Sequence, residues 1–132
     1  MTIVLILKLT IPLVILSVWL LRPNLKTNFR GGNTNSLKEE FLFYGLNSTT
    51  FYVVGFTKVV LSFFLLISIW NESFLLLSSL GLATLMLCAT FFHLRASDSL
   101  KKTSPSFILF ILNLFNPIKT ITDNNIKIKY ID

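Results

Sequence analysis

Apolar positions fall into four stretches separated by short polar connections. Three are long and nearly uninterrupted: Thr2 to Leu21, Phe51 to Trp70 and Phe74 to Leu94. A fourth and weaker one starts at Pro105 and fades near Pro117. A helix rises about 1.5 Å per residue, so about 20 apolar residues cross the roughly 30 Å hydrocarbon layer. The first three stretches meet that length and predict transmembrane helices. Pro105 to Asn116 makes only about 18 Å of helix. It crosses only by continuing past Pro117 to Ile121, which obliges Lys119 to snorkel to the far interface.

The connections carry a second pattern. Arg30-Gly31-Gly32-Asn33 forms turns readily, and Ser36-Leu37-Lys38-Glu39 reads as a capping box that starts a helix. Leu37, Phe41 and Tyr44 then recur at spacings of four and three, and Gly45 can end the helix. The prediction is a short amphipathic helix lying flat in the interface, with its apolar edge buried there. Trp19, Tyr52 and Trp70 sit near segment ends, where amphipathic rings prefer to be. Residues 118–132 read as a polar, loose tail appended to a membrane unit of residues 1–117.

Composition agrees with this division. At 132 residues, 53% hydrophobic and 14% charged, there is room for one small bundle and for no separate soluble domain. A single cysteine, Cys88 inside the third stretch, rules out an intramolecular disulfide, a CxxC pair or a cysteine metal cage, and reads as a small packing residue. The net charge of +6 points to topology rather than nucleic acid. With four spans, Arg22, Lys26, Arg30, Lys38, Arg95, Lys101 and Lys102 share one side, against Lys119, Lys127 and Lys129 on the other. Seven cations against three put both long connections in the cytoplasm and both termini outside. With three spans all ten cations collect on one side, an arrangement that charge alone prefers. The start of the chain lacks a basic n-region and a small-residue cleavage site, so the first segment is expected to be retained.

Two lysines within apolar stretches are the costliest residues, at about 2.5–3.5 kcal/mol for a mid-membrane lysine. Lys58 lies on one helical face with Gly55 and Ser62, a small, polar stripe that should face protein. It is either a buried cation that binds an anionic or carbonyl group, or a structural lysine that pairs with Glu40 or Glu39 or snorkels. Lys8 is nearer its membrane edge and is expected to snorkel outward towards Glu72, with Pro12 unable to donate to the Lys8 carbonyl. His93 at the end of the third stretch can relay a proton or hold a ligand, but no second His or Cys accompanies it. It points away from the Gly81, Thr84 and Cys88 face, the expected helix seam, so a structural or interfacial role is favoured. Arg95 and Asp98, at i and i+3, are candidates for a mutual ion pair or for lipid phosphate.

No nucleophile–base pair, nucleotide-binding glycine loop or metal-ligand spacing occurs, so no catalytic residue, metal site or cofactor is assigned. The series Glu39-Glu40-Phe41, Tyr44-Gly45-Leu46, Val54-Gly55-x-x-Lys58-Val59 and Gly81-Leu82 does form a recognisable order. It closes with His93-x-Arg95-x-x-Asp98-x-x-Lys101-Lys102-x-x-Pro105. The ordered set, over roughly residues 1–116, resembles DoxX-like small bacterial membrane proteins. The resemblance implies an all-α transmembrane four-helix bundle in the bacterial inner membrane, and for that reason the short fourth span is kept, at about 105–121. It also implies a membrane subunit or accessory protein near quinone chemistry, and it supplies no catalytic residues. The favoured reading is a non-catalytic accessory or assembly subunit of a membrane redox system, with the lipid bilayer and other redox subunits as partners. The alternative is a quinone-binding component of an oxidoreductase, with Lys58 or His93 on the quinone carbonyl. A small-solute transporter is less favoured, because no inverted pair of broken segments is visible.

Overall fold

The computed structural model describes residues 2–131, and every regular element among them is helical. Helix α1 (Thr2–Leu16) passes into a π-helical turn at Ser17–Leu21. A connection folded on itself leads to α2 (Leu37–Phe43), then α3 (Ser48–Ile67), a 3-10 turn at Glu72–Phe74, α4 (Leu75–Arg95) and α5 (Leu100–Ile131). Helix α1 packs against α3 and α5, and α4 packs against α3 and α5. Three segments are long and apolar enough to cross a membrane: Thr2–Leu21, Ser48–Ile67 and Glu72–Arg95.

The distribution of side chains is that of a protein solvated by lipid. Phe56 is 72% exposed, and Leu13, Leu77 and Phe91 are more than half exposed. The interior holds Leu7, Ile11, Ile15, Leu65, Leu82 and Met86, but also fully buried Ser62, Ser79, Asn113 and Asn116. Water would reverse this arrangement, since it penalises a large exposed apolar surface and favours polar groups outside.

Residues 118–131 are not a loose tail: α5 runs without a break to Ile131 and crosses the expected boundary at Pro117. Its buried positions Thr103, Ser106, Asn113, Asn116 and Thr120 repeat near the helical period, so the buried face of α5 continues past Pro117 as far as Thr120. Pro105 is tolerated early in the helix, where the Ser104 hydroxyl donates to the Lys101 carbonyl that a proline cannot serve (3.0 Å).

Local chemistry sets the helix ends. Ser36 Oγ accepts from Glu39 N–H (3.1 Å), and the Glu39 carboxylate accepts from Asn35 N–H (2.8 Å). Gly45, at φ +82°, closes α2: its N–H donates to Leu42 and the Leu46 N–H donates to Phe41. This pair of bonds satisfies carbonyls that a helix end leaves free. The apolar edge of α2, expected to be buried in the interface, packs on protein. Leu37 is buried, and Phe41 packs edge-on against Trp19 (5.7 Å) and Phe51 (5.3 Å). The edge is consumed by protein because the connection folds back over the ends of α1 and α3.

The helix seam of α4 also differs from expectation. Its buried positions are Leu75, Ser78, Ser79, Leu82, Ala83, Met86, Thr90 and His93, whereas Thr84 and Cys88 are exposed. Of the expected face, Gly81 packs tightly against Leu61 of α3, and Cys88 lines a cavity shared with Lys58. The stripe with serines and His93 wins because it buries polar groups that lipid would leave unsatisfied.

Candidate functional site

Helix α4 ends in a way that positions two of the site residues. Ser97 takes a left-handed conformation (φ 57°), the Ser97 N–H donates to Leu94 and the Asp98 N–H donates to His93 (3.0 Å). This geometry carries the chain back over its own last turn. The Asp98 side chain then reaches His93, with Oδ2 2.9 Å from Nδ1.

The folded connection and α2 supply the rest. Tyr44 donates its hydroxyl to Asp98 Oδ2 (2.7 Å), and its oxygen lies 2.8 Å from His93 Nδ1. Tyr44 Oη, Asp98 Oδ2 and His93 Nδ1 thus form one triangle of short contacts, and His93 Nε2 faces Glu40 Oε1 at 3.6 Å. Gly32 N–H donates to Asp98 Oδ1 (3.0 Å), and the Lys102 ammonium donates to the Gly32 carbonyl. Gly31 has no room for a side chain, since a Cβ there would lie 2.0 Å from the Tyr44 hydroxyl. Arg30 donates to the carbonyls of Arg22 (2.7 Å) and Leu25 (3.3 Å) and lies 3.7 Å from Glu40 Oε2. One cluster thus joins both long connections and the ends of α2, α4 and α5.

Burial opposes the Asp98 charge, but the Gly32 N–H, the Tyr44 hydroxyl and His93 outweigh it and hold the carboxyl below its ordinary range. Glu40 goes the other way: burial raises it above the ordinary range despite Gly31 N–H, His93, Arg30 and Lys58. Burial, then the hydrogen bond to Asp98, drives the Tyr44 phenol far above its ordinary value, in keeping with a hydroxyl that donates to Asp98.

Beside the cluster lies a cavity of about 850 Å³. Its apolar wall comes from Val14, Ile15, Val18, Leu85, Met86 and Leu109, and its polar wall from the cluster and Lys58. Lys58 is buried, and its ammonium lies over the Trp19 ring at 5.3 Å. Trp19 approaches so closely because Gly55 has no side chain; a Cβ there would stand 2.5 Å from the indole. The cavity is within the size range of small-molecule sites, which are mostly apolar with a few placed polar groups. Among the described residues, no group of three or more His, Cys, Asp or Glu is arranged to hold a metal ion.

Several expected partnerships are replaced. Lys58 makes no ion pair with Glu40 or Glu39 within 4 Å: Glu40 is taken by Arg30 and His93, and exposed Glu39 caps α2. Asp98 pairs with His93 and Tyr44 and not with Arg95, because the left-handed turn aims it back at the helix while Arg95 stays exposed. Lys8 does not reach for Glu72; it is buried and donates to the Ser68 carbonyl at the end of α3 (3.2 Å), while Glu72 is exposed. His93 is not a histidine without a partner, since it contacts Asp98, Tyr44 and Glu40. Sequence reasoning passed over Arg30 and Tyr44 as site residues. A sequence signal beside Arg30 was the Gly31-Gly32 pair: Gly31 leaves room for Tyr44, and the Gly32 N–H donates to Asp98.

No curated protein and no solved structure gives a significant match to the chain. The sequence model of the DoxX-like family matches residues 30–115, so the expected coverage of roughly residues 1–116 is shown only from Arg30 onward and not for α1. That match takes in the whole polar cluster, from Arg30 through His93 and Asp98 to Lys102, and covers well over half of the chain, which therefore belongs to the DoxX-like family.

Proposed function

We propose that this chain is a non-catalytic accessory subunit of a membrane redox system and that its cavity holds an amphipathic, membrane-soluble ligand. One observation carries this reading: an apolar cavity within a lipid-solvated helix assembly, walled at one end by a fixed polar cluster and a buried lysine. In this reading α5 is a fourth crossing beside α1, α3 and α4. Packing of α5 on both α1 and α4 supports such a bundle. The cluster lies on the cytoplasmic side of a bacterial inner membrane, with both termini outside, as the seven cations of the two long connections favour.

A second reading is favoured by Lys58 itself: the chain is the quinone-binding component of an oxidoreductase. A quinone supplies ring carbonyls that accept hydrogen bonds and, when reduced, take up protons. The residues present fit such a ring. Lys58 offers a buried donor with no hydrogen-bond partner among the described residues, and Trp19 and Phe92 offer flat apolar surfaces. Lys58 would hold the carbonyl, while His93 is held in place by Asp98 and Tyr44.

Affinity capture from native membranes, followed by solvent extraction of the captured material, tests the proposal. The expected result is a redox subunit together with about one amphipathic ligand per chain. A chain recovered alone and without a ligand overturns it.

A further inference from the structure

We infer that the ligand of this cavity is an anionic amphiphile, an apolar chain ending in a carboxylate or phosphate, with Lys58 as the cation that holds its head group. The inference rests on the cavity being a ligand site, as proposed above, and it narrows the class of ligand.

Charge balance carries it. The cavity is lined by Arg22, Lys26, Arg30, Lys58 and Lys102 and by a single carboxylate, Glu40. That carboxylate is already engaged, lying 3.7 Å from Arg30 and 3.6 Å from His93. Three of the cations are also engaged: Arg22 donates to Ser17 Oγ (3.0 Å), Arg30 to two carbonyls and Lys102 to the Gly32 carbonyl. Lys58 is different. It is 8% exposed, and among the described residues its ammonium has the Trp19 ring face but no hydrogen bond or ion pair. A buried cation needs a counter-charge, and attraction to an aromatic face offsets only part of its lost hydration.

The remaining walls define the rest of the molecule. Val14, Ile15 and Val18 of the first span and Leu85 and Met86 of α4 form an apolar lining on segments long and apolar enough to cross a membrane, with Leu109 of α5 beside them. A head group at Lys58 therefore continues into an apolar chain. A neutral quinone carbonyl can accept from Lys58 but adds no counter-charge beyond the more distant Glu40, whereas a carboxylate or phosphate supplies both acceptor and counter-charge in contact. Free fatty acid and lipid phosphate share this chemistry, and the probes below separate them.

Equilibrium binding to the purified full chain, read by native mass spectrometry, tests the inference with four probes: oleate, lysophosphatidate, monoolein and a decyl-substituted quinone. Oleate or lysophosphatidate should bind at least about tenfold more tightly than either neutral probe. Preference for oleate identifies a free carboxylate ligand, and preference for lysophosphatidate identifies a lipid head group. Lys58→Met should remove that preference, and Lys58→Arg should retain it. The selectivity of the wild type is informative even if Lys58→Met fails to fold. Neutral probes binding as tightly as anionic ones overturn the inference and leave the ligand site standing. Failure of all four to bind overturns both readings.

Discussion

His93 Nδ1 and Asp98 Oδ2 stand 2.9 Å apart across the end of α4, held there by a turn whose left-handed residue is serine. The pairing is local in sequence, yet it depends on a conformation that side chains other than glycine avoid. It also anchors the folded connection, because Asp98 receives Tyr44 and the Gly32 N–H at the same carboxylate.

The depressed Asp98 carboxyl gives a pH dependence of definite sign. Its contribution to stability is full above the ordinary aspartate pKa of about 3.9 and is lost as pH falls through the lower value of the folded state. Asp98→Asn should lower stability at neutral pH by about 1.5–3 kcal/mol, the range for hydrogen bonds to charged groups. Thermal unfolding in detergent between pH 7 and pH 3 checks this: the wild type should lose its advantage over Asp98→Asn on acidification. A constant difference across that range would contradict the assignment.

Ser97 should be replaceable with profit to stability. At φ 57° a glycine avoids the left-handed penalty of about 1–2 kcal/mol but loses more backbone entropy on folding, about 0.5–1 kcal/mol. Ser97→Gly should therefore stabilise by up to about 1 kcal/mol. A raised melting temperature is expected, and a lowered one would show that the turn differs.

Gly31 carries the opposite expectation. Because a Cβ there meets the Tyr44 hydroxyl at 2.0 Å, Gly31→Ala must displace the ring that bridges His93 and Asp98. Overpacking of this kind costs about 1–3 kcal/mol. The variant should melt earlier and lose slow hydrogen exchange at the Gly32 amide, which is bonded to Asp98. Unchanged protection at Gly32 would count against the tight contact.

Much of the scaffold was legible in the sequence because its signals are local. Three apolar stretches, the Ser36 cap and the Gly45 stop each act within a few residues, and each appears in the structure. The site was less legible because it is built from long-range meetings. Tyr44 and His93 are 49 positions apart, and a lone histidine in a pattern does not show what a folded connection will lay against it. Asp98 misled for a related reason: spacing favoured Arg95, whereas a left-handed serine turned the carboxylate the other way. The end of α5 misled because Pro117 and the alternating lysines look like a break. The buried period through Asn113, Asn116 and Thr120 continues across it.

Topology has its own test. With Cys88 replaced by Ala, single cysteines at Asn33, Ser99 and Asn125 can be labelled by an impermeant thiol reagent on intact cells. Only Asn125→Cys should react if α5 crosses the membrane and both long connections are cytoplasmic. Protection of all three sites until lysis would place the end of α5 on the same side as the cluster.

On the proposal made above, one amphipathic molecule occupies the cavity beside Lys58. Native mass spectrometry of the full chain, released gently from detergent, measures this directly. The wild type should carry one discrete bound molecule, and Ala89→Trp, which fills the cavity from α4, should carry none while keeping its melting temperature. A bare wild-type mass, or the same distribution of adhering lipid on both proteins, would contradict the claim.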